Sequence, residues 1–106
     1  MTGVTTASSR PGCRVLVVDD EKDQCDLLSK MLKELGHWPE YALKAEDALA
    51  FLSLRHFDLV IVDWKLNHAL GTGDFALLKE ITRRWPHIAV LMMSGWPEAH
   101  GGIGIE

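Results

Sequence analysis

The run Leu59-Val60-Ile61-Val62, closed by Asp63, constrains the fold of this chain more than any other stretch. Consecutive apolar residues, mostly β-branched, describe a strand covered on both faces, and such strands belong to helix-flanked parallel sheets. The strand's last residue then faces the crevice outside the carboxyl ends of the sheet, where ligands bind in open α/β folds. A carboxylate delivered to that place points to chemistry.

A second run of the same kind, Arg14 to Val18, is stopped by Asp19-Asp20-Glu21 and reads as the first strand. From Lys22 to Leu35 the positions Cys25, Leu28, Leu32 and Leu35, widened by Leu27 and Met31, recur at helical spacing, and Gly36 stops them. His37 to Ala42 contains Pro39, which fits only an edge strand. Ala45 to Leu54 is predicted as a second helix, with Glu46 and Asp47 in its first turn where the dipole favours them. Trp64 to Gly73 reads as an irregular functional loop, Asp74 to Trp85 as a third helix ended by Pro86, and Ile88 to Met93 as a fourth strand running into Ser94-Gly95.

Strands alternating with helices imply βαβ units with right-handed crossovers and a doubly wound α/β sheet of order 2-1-3-4. Its switch point lies between strands one and three, so Asp19, Asp20 and Asp63 converge by topology. Two carboxylates about 4 Å apart repel by about 4 kcal/mol at an effective dielectric near 20, so three of them ask for a cation or a proton. Oxygen ligands with open positions suit Mg²⁺, which also holds phosphoryl groups, and an Asp can itself attack phosphorus. Ser94 can hydrogen-bond a phosphoryl oxygen, and the amides after Asp63 and Ser94, those of Trp64 and Gly95, can bind others.

The segments Val15-Leu-Val-Val-Asp19-Asp20-Glu21, Asp58-Leu-Val-Ile-Val-Asp63-Trp-Lys-Leu and Val90-Leu-Met-Met-Ser94-Gly95-Trp96-Pro97-Glu98 together resemble the receiver domain of two-component response regulators. The resemblance runs from Arg14 to about Ala99. It implies a CheY-like (flavodoxin-like) three-layer α/β/α fold, with residues 1–12 as a disordered leader and 13–106 as a receiver domain that stops before the family's fifth strand and helix. It implies further that Asp63 accepts phosphate from a sensor histidine kinase or a phosphotransfer protein. Asp20 and Asp63 would bind Mg²⁺ directly, Asp19 would assist through water, and the main-chain carbonyl of Lys65 would complete the site. Ser94 would follow the phosphoryl group and trigger the switch. Two local departures from the family pattern are Asn67, where proline is usual, and the longer loop from His68 to Gly73. The essential lysine of the family's fifth strand has no counterpart in these 106 residues. A receiver-like interaction or dimerisation module without phosphorylation is therefore the alternative reading. An acid-cluster phosphatase is weaker, because no second acid stands two residues after Asp63.

Blander readings accompany these. Alone, Asp19-Asp20-Glu21 describes a helix N-terminus, and Ser94 a helix cap. Gly71 to Ala76 imitates a dinucleotide fingerprint but does not follow a strand directly. The five histidines have no ligand spacing and read as solvated. Trp64 can gate the pocket or report on it, while Trp38 and Trp85 read as packing residues. Cys13 and Cys25 read as buried reduced thiols.

With 106 residues, 47% hydrophobic and 25% charged, the chain suits one soluble domain. A net charge of -4 provides no footprint for direct nucleic-acid contact. No signal peptide or membrane span is recognisable, which leads us to expect a cytoplasmic location. We expect no enzyme and no catalytic residues in the turnover sense. An uncovered fourth strand predicts a homodimer.

Overall fold

The computed structural model describes residues 12–68 and 75–93. Of the expected leader, residues 1–12, all but Gly12 lies outside the described residues, as do Ser94, Gly95 and the glycines of the dinucleotide-like stretch. Four parallel strands, β1 (Arg14–Val18), β2 (Trp38–Ala42), β3 (Leu59–Asp63) and β4 (Ala89–Met93), form one sheet in the order β2-β1-β3-β4. Helices α1 (Lys22–Glu34), α2 (Ala45–Leu54) and α3 (Ala76–Arg84) join them. The predicted order is thus observed, and β2, with Pro39, lies at an edge.

The path explains the layers. The chain steps from β1 outward to β2, then reverses to reach β3 and β4. Right-handed crossovers send α1 to one face and α2 and α3 to the other. Side chains alternate along each strand accordingly. Val15 and Val17 of β1 and Ile61 of β3 pack with Cys25, Leu28 and Leu32 of α1. Leu16, Val18, Val60 and Val62 instead meet Ala48 and Leu52 of α2 and Leu77 and Ile81 of α3, with Phe57 and Ile88 completing that core.

Helix α1 ends as its glycine predicts. Gly36 has φ of +94°, its amide donates to the Lys33 carbonyl at 3.0 Å, and the His37 amide donates to the Leu32 carbonyl at 2.9 Å. This double bond closes the helix C-terminus and turns the chain into β2. Gly12 lies so close that a Cβ there would stand 1.9 Å from the Gly36 carbonyl oxygen.

Several local details differ from the sequence reading. The first half of the expected irregular stretch is a 3₁₀ helix, Trp64–His68, whose Leu66 is buried. Phe75 enters α3 with φ of 61°, a left-handed conformation that costs a non-glycine residue energy, and its ring meets Trp64 edge-on at 5.5 Å. Trp38 is 55% exposed rather than packed, whereas Trp85 packs against the larger core. Leu27, Met31 and Leu35 stand outside the packed stripe of α1 and remain exposed. Of the two free thiols, Cys13 is exposed and only Cys25 is buried, its pKa pushed by burial to about 11. Among the described residues, no helix is long and apolar enough to cross a membrane.

Candidate functional site

Strand alternation carries Asp19 and Asp63 to the same side. They continue the odd-numbered series that faces α1 in β1 and β3, and Val18 pairs with Val62 one position earlier. The two carboxylates are therefore neighbours at the carboxyl end of the sheet, and they are the buried charged residues of the described chain, each 3% exposed. Asp20 stands at the exposed rim. One oxygen from each of Asp19, Asp20 and Asp63 can be chosen so that all lie within 4.8 Å of one another.

Local bonds fix the buried pair. Asp19 Oδ1 accepts the Glu21 amide at 3.0 Å, and Asp63 Oδ1 accepts the Lys65 amide at 3.2 Å. Glu21 is the N-cap residue of α1 but makes no side-chain cap bond. Asp19 thus satisfies an amide at the start of α1, while the Glu21 side chain caps nothing there. Burial raises the pKa of Asp63, against the lowering effects of the Lys65 amide and ammonium. Burial also raises that of Asp19, and the charges of Asp63, Asp20 and Glu21 add to the shift. Both groups thus pay for desolvation, and a positive charge between them would relieve it.

Part of that charge comes from the chain itself. The Lys65 ammonium lies 3.5 Å from Glu21 Oε2, 3.9 Å from Asp63 Oδ2 and 4.0 Å from Asp20 Oδ1. The sequence reading assigned Lys65 only a main-chain role and left Glu21 out of the site. Strand alternation gave no signal for the Lys65 side chain, since Lys65 lies beyond the end of β3 in the 3₁₀ helix. Trp64, 41% exposed, covers the flank between Asp63 and Phe75. Ser94 and Gly95 follow β4 directly and lie outside the described residues.

The acid set fits a hard divalent cation. Its donors are all oxygens, two are buried and one is at the rim, so an ion could keep several waters there. Buried carboxylate oxygen of this kind is also competent to attack phosphorus.

The family model of the response regulator receiver domain matches residues 15–101. Over 89 residues the chain is 35% identical to the transcriptional regulatory protein ZraR of Salmonella typhimurium, covering 84% of this chain and 20% of that protein. It is equally 35% identical over 89 residues to the nitrogen assimilation regulatory protein NtrX of Azorhizobium caulinodans, covering 84% and 18%. A crystal structure of NtrX from Brucella abortus superposes with a TM-score of 0.71 at 38% identity, covering 89% of this chain and 19% of that one. A CheY-like receiver domain from Methylobacillus flagellatus gives 0.68 at 25% identity, covering 88% and 77%. The chain spans about a fifth of the length of the curated relatives it matches.

Proposed function

The chain belongs to the response regulator receiver domain family of two-component systems, and on that premise we propose that Asp63 is its phosphoacceptor. The observation that carries this reading is the buried Asp63 beside Asp19, with Asp20 at the rim and one oxygen of each within 4.8 Å of the others. Receiver domains accept phosphate from histidine kinases, so the donor would be a sensor histidine kinase or a phosphotransfer protein. An Asp63 carboxylate oxygen attacks the phosphorus of the phosphohistidine. The new O–P bond forms as the P–N bond breaks, and the electron pair returns to the imidazole nitrogen, which is protonated.

Asp20 and Asp63 would hold Mg²⁺ directly, with Asp19 acting through water and the Lys65 carbonyl completing the set. When bound, the ion neutralises the charge that gathers on the transferring oxygens. The Lys65 amide donates to Asp63 Oδ1 and so fixes the orientation of the carboxylate. Ser94 and the Gly95 amide would take phosphoryl oxygens, and Trp64 would register the change at its flank. The module is an acceptor and switch rather than a turnover enzyme. We place it in the cytoplasm and assign no direct DNA contact to it. A homodimer is our reading of the exposed β4, where Leu91 is 56% exposed.

Incubation with a small phosphodonor and Mg²⁺, followed by intact-mass analysis and peptide mapping, tests the assignment. One phosphoryl group on Asp63, absent from Asp63→Asn, is the expected result. Stoichiometric labelling elsewhere would refute it, and complete silence with a cognate phosphorylated kinase would favour the interaction-module alternative.

A further inference from the structure

The ammonium of Lys65 stands among the carboxylates that we assign to the cation. It lies 3.9 Å from Asp63 Oδ2 and 4.0 Å from Asp20 Oδ1, the two groups that would bind the ion directly. It is anchored from the rim by Glu21 Oε2 at 3.5 Å, outside the assigned ligand set. The same residue holds Asp63 Oδ1 through its amide. Both oxygens of Asp63 are therefore engaged by one residue, once by main chain and once by side chain. Two like charges cannot share such a place without strong repulsion, so a divalent ion and this ammonium exclude each other. The side chain is 51% exposed and sits on a flexible four-carbon stem, which leaves it a path outward.

We propose that Lys65 is a built-in counter-cation that sets the divalent-cation affinity of the site by competing for Asp20 and Asp63. The inference rests on the Mg²⁺ reading above. It separates two roles of one residue: the carbonyl and amide of Lys65 serve the site whatever its side chain, while the ammonium opposes loading. Arginine at position 65 would retain the opposition, and a neutral side chain of similar length would remove it.

The test is calorimetric titration of the full chain with MgCl₂, together with thermal melts with and without the ion. Wild type is compared with Lys65→Met, Lys65→Gln and Lys65→Arg, with circular dichroism confirming the fold of each. Lys65→Met and Lys65→Gln should each bind Mg²⁺ about tenfold more tightly, equivalent to about 1.4 kcal/mol. Their melting temperature without the ion should fall, the rise on adding it should grow, and Lys65→Arg should stay within about threefold of wild type. If wild type binds Mg²⁺ and both neutral variants bind it equally or more weakly, the competition is overturned while the Mg²⁺ assignment stands. If neither wild type nor the neutral variants bind it at tens of millimolar, the assignment itself fails and the competition with it.

Discussion

Asp63 shows how one carboxylate can cost stability in one condition and supply it in another. Its pKa and that of Asp19 are raised, chiefly by burial. Above the ordinary value of 3.8 the folded chain therefore holds protons that the unfolded chain has released, and stability falls as pH rises through the raised values. Without divalent ions, thermal melts should show this contribution to stability growing as pH is lowered from neutral toward the ordinary carboxylate value of 3.8. Asp63→Asn should be more stable than wild type at pH 7 under these conditions, because it removes a charge whose burial raises the pKa. Mg²⁺ at a hundredfold excess over its Kd should add about 2.7 kcal/mol to wild type and little to Asp63→Asn, reversing their order. Asp58 behaves oppositely: the Arg14 amide at 2.8 Å lowers its pKa, so its contribution is lost only in stronger acid. The carboxylates of the site were legible because strand ends and sheet order decide them. The Lys65 ammonium was not, because its position depends on a 3₁₀ turn and on a rotamer that no periodicity encodes.

At the scale of elements, apolar pattern and glycine placement sufficed. The strand runs, the stop at Gly36 and the edge character of β2 follow from local chemistry, and all three are observed. What the pattern could not decide was which apolar residues of α1 touch the sheet. Leu27, Met31 and Leu35 carry the same signal as Leu28 and Leu32, yet one helix on a narrow sheet can bury only one stripe. Trp38 was likewise misread, because an aromatic residue opening an edge strand can face solvent. The turn at Phe75 gave no cue, since a left-handed aromatic residue has no sequence signature. The connection before β3 is more demanding. Phe57, 1% exposed, ties it to the core shared by α2 and α3. Phe57→Ala should cost about 3–5 kcal/mol in urea unfolding, with a lower midpoint and an unchanged slope.

For the whole molecule, the outer strands are where contact with other copies is expected. Edge strands with exposed apolar side chains favour association, and Leu91 on β4 is the clearest case. Light scattering at micromolar concentration should report a dimer, and Leu91→Lys should return it to monomer with little loss of stability; a wild-type monomer would discard this surface. The order of the strands has another consequence, for the time course of folding. Val15 pairs with Leu59, far along the chain, whereas Arg14 pairs with Trp38, much nearer in sequence. Closing the longer loop costs more chain entropy and slows the search. The longer closure is also the one that brings Asp63 against Asp19, so a dissolved divalent cation that screens the two carboxylates should speed refolding, which stopped-flow refolding with and without MgCl₂ would read.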